Sequence, residues 1–150
     1  GVCSPFFDRL GERLLAAGHA VTKINFTVGD SVYWRQGNTY VYRGQAKDIP
    51  EYLCGIWDRH GITDQVVFGD RRPVHRRAIL AARRRGIRNH VFEEGYLRPW
   101  WVTYERGGSN GNSRLMEMTI PQMQAALARS ISMLTSASPP SKKSPRVTAA

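Results

Sequence analysis

Apolar residues recur along the chain with two periods, one typical of helices and the other typical of strands. Near the start, Phe6, Leu10 and Leu14 recur at spacings close to one helical turn, and Gly18 then ends the predicted helix. Residues 21–26 alternate from one side to the other as a strand does. Applied to the whole chain, the two periods predict helices over residues 6–17, 46–60, 72–85 and 121–134 and strands over residues 21–26, 65–68 and 89–93.

Shorter segments between these elements are predicted to be turns, small strands and loops. Residues 31–34 and 39–42 are strand-like pieces on either side of Gly37-Asn38, which favours a small hairpin. Residues 95–105 predict an extended loop with a short strand over 101–104. The sequence GGSNGNS at residues 107–113 predicts a flexible loop.

The order of the elements predicts an α/β fold. Strands 65–68 and 89–93 bracket helix 72–85, so they most simply form a parallel βαβ unit. The alternation begins with a helix, so a leading strand is missing from the pattern, and the core strands are fewer than in a usual sheet. We therefore expect an incomplete domain over residues 1–115, a divergent helix over 116–136 and a disordered Pro/Ser/Lys-rich tail over 137–150.

The net charge of the chain indicates which classes of molecule it can bind. The 150 residues carry a net charge of +10, which favours polyanions such as nucleic acid, an anionic lipid surface or a phosphorylated substrate. Eight arginines lie between residues 71 and 88, and they fit either a solvated helix face or an anionic partner. No apolar run is long enough for a membrane-spanning helix, and the start of the chain has no secretory-signal pattern. Cys3 and Cys54 are expected to be reduced thiols.

Acidic residues follow two of the predicted strands. Asp70 ends one strand, and Glu93 with Glu94 ends the next. Because ligands of open α/β sheets bind outside the carboxyl ends of the strands, these acids form a candidate site. Asp70 precedes a helix, so it can instead serve as a cap, whereas in a site it can act as a general base. His75, on the first helical turn, is either a structural side chain or an acid–base group.

Several neighbouring residues can extend this site. Adjacent strand residues point to opposite faces, so only one of Glu93 and Glu94 can share the crevice with Asp70, and the other can pair with Arg88 or Arg98 or cap a turn. The arginines near this site can bind a phosphate or carboxylate group of a ligand. Lys23 and Asn25, from the earlier strand, can reach the same crevice.

Several chemistries have no signature in the sequence. The four histidines and two cysteines lack metal-ligand spacing. The phosphate-binding GxxxxGK[ST] loop, the strand-GxGxxG-helix unit and the GxSxG nucleophile elbow are also absent. No recognised nucleic-acid motif is present.

A longer series of motifs resembles one family. PFF at residues 5–7, KINF at 23–26, FGD-RP-H from residue 68, FEEGYLRP from residue 92 and GG-NGNSRL from residue 107 keep the order and spacing of capsular polysaccharide biosynthesis and export proteins of the KpsS/LipB type. The resemblance spans roughly residues 4–115. It implies a Rossmann-like three-layer α/β domain with a short parallel sheet, similar to the N-terminal half of a GT-B-like glycosyltransferase.

The resemblance also implies a function in capsule biosynthesis and export. Family members look like glycosyltransferases that add β-linked Kdo, a keto-deoxy-octulosonic acid, from CMP-Kdo to a phosphatidylglycerol-type lipid. The implied location is the cytoplasm, at the periphery of the inner membrane, and the implied partners are the lipid acceptor, CMP-Kdo and inner-membrane capsule assembly and export proteins. No cofactor, metal or nucleic acid is expected.

The candidate residues divide into two groups. Residues assigned as catalytic candidates are Asp70, His75, Glu93 and Glu94. Residues assigned to substrate binding are Lys23, Asn25, Arg72, Tyr96, Arg98, Glu105 and Asn110. The resemblance covers most of these positions, but it does not decide which acid is catalytic.

The sequence also departs from the family pattern. Arg71 stands where a cysteine is common, and after Leu115 the Pro-rich continuation gives way to MEMTIPQMQ. Family chains are longer, with a strand before the PFF helix and a second, nucleotide-sugar-binding half. We therefore expect a truncated or frameshifted product, or a fragment, that lacks transferase activity alone. The alternatives are a non-catalytic accessory module of capsule export and, ranked well below, a basic nucleic-acid-binding protein.

Overall fold

A computed structural model describes residues 4–95 and 101–136 of the chain. It divides into two units, residues 1–113 and residues 114–150. The first unit contains α1 (Phe6–Ala16), β1 (Lys23–Asn25), α2 (Val28–Val32), β2 (Thr39–Val41), α3 (Ile49–His60), β3 (Asp64–Phe68), α4 (Pro73–Arg84), β4 (Arg88–Glu94) and β5 (Val102–Arg106). The second unit contains α5 (Ile120–Ser136), preceded by a 3-10 turn at Arg114–Glu117. The 137–150 tail lies outside the described residues.

The strands form two separate sheets. β1 pairs with β2 in parallel, with Ile24 opposite Tyr40. β3 pairs with β4 in parallel, with Val66 opposite His90, and β5 adds to β4 in antiparallel direction. The predicted parallel βαβ unit is confirmed as β3–α4–β4. Helices lie on both sides of short parallel and mixed sheets, which confirms a Rossmann-like α/β fold.

The predicted hairpin around Gly37-Asn38 is wrong. β2 runs parallel to β1, and residues 28–32 form the short helix α2 instead of a turn and a strand. A capping box explains the helix. The Thr27 hydroxyl accepts from the Asp30 backbone N–H at 3.3 Å, and the Asp30 carboxylate accepts from the Thr27 N–H at 3.0 Å. The pattern of hydrophobic residues does not reveal these local hydrogen bonds, so it did not predict the helix.

The core of the first unit lies where α3 and α4 pack together under the sheets. Ile49 and Leu53 of α3 and Ala78 and Ala82 of α4 are buried in one cluster, and Ile24 of β1 packs against it. Prolines open both helices, and Gly61, with φ of 58°, ends α3 in the left-handed conformation. The exposed face of α4 carries its arginines, as the helical period predicts.

The helix α1 packs on the opposite face of the larger sheet from α4. The Phe7 ring lies 5.9 Å from that of Phe68, and the Phe6 ring lies 5.3 Å from that of Phe92. On the other face, the Asn89 amide reaches the Ile79 carbonyl of α4. Because successive strand residues alternate between faces, Phe92 faces α1 while Asn89 and Val91 face α4.

The helix α1 also contacts the segment that joins β1 to β2. The Asp8 carboxylate accepts from the Arg35 backbone N–H at 2.8 Å and from the Gln36 amide. Gly11 is buried against Trp34, and a Cβ at this glycine would lie 2.5 Å from the indole ring. The helix therefore contacts both the larger sheet and the segment that joins the strands of the smaller sheet.

Candidate functional site

Asp70 is buried at the carboxyl end of β3. Gly69, with φ of 73°, turns the chain there, and Asp70 is only 3% exposed. Its Oδ2 accepts from the Ser109 backbone N–H at 2.8 Å and from the Asn112 amide at 3.0 Å. Its Oδ1 has no hydrogen-bond partner among the described residues. Arg72, not Asp70, is the N-cap residue of α4, so the carboxylate serves another segment of the chain instead of capping the helix.

Glu93, near the end of β4, meets Asp70 through Ser109. The Ser109 hydroxyl donates to Glu93 Oε2 at 3.0 Å, while its backbone N–H donates to Asp70. The Glu93 carboxylate also lies beside Gly69, where a Cβ would be 3.8 Å from Oε1. The two parallel strand ends thus bring two carboxylates to one serine.

The two glutamates of the predicted pair point to different faces. Glu93 lies on the same face of β4 as Val91, which is the face toward α4. Glu94 lies on the opposite face and is exposed. The structure therefore brings Glu93, and not Glu94, to Asp70.

Three carboxylates hold the 107–113 loop. Asp70 and Glu93 bind Ser109, and Glu105 of β5 accepts from the Ser113 hydroxyl. Asn110 has φ of 49°, and a Cβ at Gly108 would lie 2.5 Å from the Asn112 carbonyl oxygen. The sequence predicted a flexible loop here, whereas the structure shows a 3-10 turn with buried serines. Sequence reasoning missed Ser109, Asn112 and Ser113 as site residues, because the GGSNGNS motif predicted only a loop.

His75 is buried beside this site but contacts the backbone. Its Nδ1 lies 2.9 Å from the Gly69 carbonyl oxygen, and its ring packs 6.0 Å from that of Phe26. Burial lowers the pKa of His75, so the imidazole is neutral near pH 7. A carbonyl can only accept, so the neutral ring carries its proton on Nδ1 and leaves Nε2 as an acceptor.

Basic side chains lie at the surface around the loop. Arg71 and Arg72 are both exposed at the start of α4. A Cβ at Gly111 would lie 3.5 Å from an Arg71 guanidinium nitrogen, which places this arginine next to the 107–113 loop. Asn110 is exposed in the same loop. Of the other substrate-binding candidates, Tyr96 and Arg98 lie outside the described residues.

Lys23 and Asn25 belong to the other sheet. Asn25, at the end of β1, is 1% exposed, and its amide donates to the Ser31 hydroxyl at 3.1 Å. Lys23 starts β1, and its ammonium donates to the Ile24 carbonyl at 3.1 Å. Burial lowers the pKa of Lys23. In the described part of the chain, no hydrogen bond joins either residue to Asp70 or Glu93.

A second polar cluster lies at the amino end of β3. The Asp64 carboxylate accepts from Arg88 at 2.6 Å and contacts His90 at 2.8 Å, and these hydrogen bonds lower the pKa of Asp64. The partner of Arg88 is therefore Asp64 rather than one of the strand-end glutamates. The cluster joins neighbouring strands at the end of the sheet away from Asp70, so it ties the strands together.

The described residues show neither a metal site nor a membrane span. Across residues 4–95 and 101–136, no three His, Cys, Asp or Glu side chains converge to hold a metal ion. In the same residues, no helix combines the length and the apolar character needed to cross a bilayer.

The motifs that form this site fall within a match to one family. A model of the capsule polysaccharide biosynthesis proteins matches residues 63–149, more than half of the chain. The chain belongs to this family. The matched residues include β3, α4, β4, β5 and the 107–113 loop, so every carboxylate around Ser109 and Ser113 lies within it.

Curated relatives show the same relationship. The chain is 36% identical over 115 residues to the capsule polysaccharide export protein KpsS of Escherichia coli, covering 77% of this chain and 30% of that protein. It is 38% identical over 117 residues to the capsule polysaccharide modification protein LipB of Neisseria meningitidis serogroup A, covering 77% of this chain and 28% of LipB. The aligned region thus spans less than a third of these relatives. No solved structure matches the chain.

Proposed function

We propose that the chain acts in capsule polysaccharide assembly as part of a glycosyltransferase that adds β-Kdo from CMP-Kdo to a phosphatidylglycerol-type lipid. Family membership supports the process, since the matched relatives are named for capsule export and modification. The chemistry of the strand ends supports the reaction class. The sugar donor, the β linkage and the lipid acceptor are all part of what we propose.

The state of Asp70 is the observation that carries this proposal. One carboxylate oxygen is held by the loop, and the other is buried with no partner among the described residues. A buried oxygen of this kind costs free energy unless a ligand or water completes its hydrogen bonds. At the carboxyl end of a parallel strand, an acceptor hydroxyl is a suitable partner, with Asp70 as its general base.

Neighbouring groups have supporting roles in the proposal. Glu93, which shares Ser109 with Asp70, orients the loop and is the second candidate acid. The neutral ring of His75 has its Nε2 atom available as a hydrogen-bond acceptor. Arg71 and Arg72 are suited to the carboxylate of a keto sugar acid or to a lipid phosphate, because a guanidinium binds both in bidentate geometry. Arginines on the exposed face of α4 would hold the protein at an anionic cytoplasmic leaflet, where capsule assembly and export proteins are the proposed partners.

The size of the chain limits its proposed activity. Because the alignment covers less than a third of the relatives, we propose that this chain supplies acceptor-side residues and does not transfer Kdo alone. The same observation favours a second candidate, a non-catalytic accessory module of capsule export. The two differ in whether CMP-Kdo or the lipid binds at Asp70.

Hydrogen exchange on the purified chain tests the proposal. CMP-Kdo and vesicles containing phosphatidylglycerol are added separately, and exchange is measured at the backbone amides of Ser109 and Asn112. We expect one of them to slow exchange in the original chain, and Asp70→Asn to abolish that effect. Asp58→Asn is the matched control, because Asp58 is an exposed acid that pairs with Arg85 on the surface.

Two results would contradict the proposal. If Asp70→Asn responds to both additions as the original chain does, Asp70 has no part in binding. If neither addition changes exchange at the loop, the accessory function is favoured. A direct assay for Kdo transfer by the chain alone is expected to detect no transfer, and measurable transfer would contradict this expectation.

A further inference from the structure

Three hydrogen-bonded side chains cross the larger sheet on the face toward α1. His90 of β4 lies between Asp64 of β3 and Tyr104 of β5. Its Nε2 is 2.8 Å from Asp64 Oδ1, and its Nδ1 is 2.7 Å from the Tyr104 hydroxyl oxygen. The face follows from strand alternation, because Phe92, two residues after His90, contacts α1. These three side chains therefore lie apart from the site at Asp70, which is at the other end of β3.

The charge of Asp64 fixes the direction of these hydrogen bonds. Arg88 donates to both carboxylate oxygens, at 2.7 and 2.6 Å, and these hydrogen bonds, with that of His90, lower the pKa of Asp64. Asp64 is therefore ionised at neutral pH and can only accept, so His90 carries a proton on Nε2. In the neutral imidazole Nδ1 is an acceptor, so Tyr104 donates its hydroxyl proton to it. The Tyr104 oxygen then has only lone pairs left for another molecule.

Protonation of His90 reverses the last of these hydrogen bonds. Both ring nitrogens of an imidazolium donate, so Nδ1–H would donate to the Tyr104 oxygen. The Tyr104 O–H is then released to donate to another molecule. The Tyr104 side chain is 47% exposed, so a ligand can reach this donor. Because histidine side chains change charge between about pH 5 and pH 8, the hydroxyl can change from acceptor to donor near neutral pH.

A cation lies beside the same imidazole. Arg106 of β5 is directly opposite His90 in the strand register, and it is exposed. Residues in this relation have Cβ atoms about 4.5–5.5 Å apart, and like charges in such a pair repel each other. Across the part of the chain that the structure describes, Arg106 forms no ion pair. An anion bound here would offset the repulsion and stabilise the protonated form of His90.

The other charged groups near this imidazole already have partners or belong to other segments. Arg88, two residues before His90, binds Asp64. Asp8 of α1 lines the same groove as His90, and its carboxylate accepts from the Arg35 backbone N–H. The remaining titratable side chains along this groove come from the loop after α1, the β1–α2 region, α3 and α4: His19, Lys23, Asp30, Tyr33, His60 and His75.

We propose that Tyr104 and Arg106 form a second ligand site, which binds the phosphate group of a ligand while His90 takes up one proton. The Tyr104 O–H and the Arg106 guanidinium would donate to phosphate oxygens, and a guanidinium suits phosphate because it binds in bidentate geometry. The proton comes from solvent and enters at Nδ1 of His90, and the ionised Asp64 stabilises the imidazolium, as the carboxylate of an acid–base triad does. Proton and phosphate therefore strengthen each other's binding. This proposal does not depend on the sugar-transfer function.

Nitrogen NMR of the His90 ring tests the proposal in the unmodified chain. Sulfate is the probe, because it resembles phosphate but keeps the same charge near neutral pH, so any effect of pH comes from the protein. Chloride at the same ionic strength is the control. Just above neutral pH, we expect sulfate to shift Nδ1 of His90 from the bare to the protonated form and chloride to leave it unchanged. Heats of sulfate binding in buffers of different ionisation enthalpy should show uptake of about one proton.

Variants separate this site from the general positive charge of the chain. Tyr104→Phe removes the hydroxyl donor and should weaken sulfate binding at least about tenfold, because hydrogen bonds to charged groups are among the stronger ones. Tyr40→Phe is the matched control, since the Tyr40 hydroxyl lies 2.8 Å from His60 Nε2 but that ring has no carboxylate partner among the described residues. Arg106→Gln should also weaken binding, whereas Arg77→Gln removes an exposed charge of α4 and should leave binding unchanged.

Four outcomes would overturn the proposal. The first is no sulfate binding, and the second is binding that leaves the nitrogen signals of His90 unchanged. The third is an equal loss of binding in each variant and its control, which would assign sulfate to the net charge of the chain. The fourth is proton uptake that persists in His90→Gln, which would assign the proton to another group. If His90→Gln does not fold, the nitrogen signals of the unmodified chain decide.

Discussion

Each sheet has a buried polar residue at or just beyond the carboxyl end of a strand, but the hydrogen-bond partners of these two residues come from different distances along the chain. β1 ends at Asn25, and Asp70 lies two residues after the end of β3; each residue is buried with one oxygen that has no partner among the described residues. Asn25 receives its one side-chain partner from Ser31, six residues along the chain. Asp70 receives its partners from a loop that lies about forty positions further on, at Ser109 and Asn112.

This difference has a physical consequence. β1 and β2 are three-residue strands whose end is closed by a local turn, and a two-stranded sheet has little stability of its own. β3 to β5 are longer, and their carboxyl ends are covered by a loop that three carboxylates hold. We infer that the larger sheet defines the candidate site, while the smaller one depends on the helices above and below it.

The largest expected effect on stability comes from replacing the buried polar residues at the ends of the strands. Asp70→Ala leaves the Ser109 N–H and the Asn112 amide without their acceptor, which we expect to cost on the order of 3 kcal/mol in the free energy of unfolding. Asn25→Ala removes a single hydrogen bond to Ser31 and should cost on the order of 1 kcal/mol. Denaturant unfolding of both variants measures the two values. Equal losses would show that the long-range loop adds nothing to the end of β3.

A smaller effect is expected where α1 meets the segment that joins β1 to β2. Gly11→Ala would place a methyl group against the Trp34 ring, and such overpacking costs about 2 kcal/mol. Gly55→Ala in α3 is the matched control, since no atom lies within 4 Å of its Cβ position. There alanine should stabilise the helix by about 0.5–1 kcal/mol. Thermal unfolding of the two variants tests whether their changes in stability have opposite signs. A Gly11→Ala variant as stable as the original chain would show that the contact between α1 and Trp34 tolerates a methyl group.

The smallest expected effect concerns pH. Burial lowers the pKa of His75 in the folded state, so the unfolded chain binds a proton more readily. The contribution of the neutral ring is present above about pH 6.5, the ordinary pKa of histidine, and is lost as the pH falls below it. We expect the free energy of unfolding to fall on acidification, and His75→Asn should reduce this dependence on pH. Unfolding curves between neutral pH and pH 5 measure it, with His19→Asn, at an exposed position, as the control. An unchanged slope in His75→Asn would assign the pH dependence to other groups.

Much of the fold could be predicted because its signals are local. Periodic apolar positions located α1, α3 and α4 and the strands around α4, and the order of these elements indicated a parallel unit. The capping box at Thr27 was overlooked, and the strand-like composition of residues 31–34 then led to the wrong hairpin. In β2, the sequence showed a strand but could not show its direction, because pairing depends on contacts far along the chain.

The candidate site was only partly predictable for the same reason. Strand ends identified Asp70 and Glu93, and strand alternation indicated that only one glutamate could join Asp70. Which glutamate it was depended on the face that α4 covers. Ser109 and Ser113 were assigned to a flexible loop, because nothing local shows that carboxylates from three strands will bind them.

The sequence by itself determined the capsule-family membership, the α/β class and the residue types at the strand ends, because motifs and periodicity are properties of neighbouring residues. Only the tertiary structure decided that Asp70 and Glu93 meet at Ser109 and that Lys23 and Asn25 belong to another sheet. These features depend on pairing between distant segments and on which faces the helices cover, and neither is encoded in any single stretch of the chain.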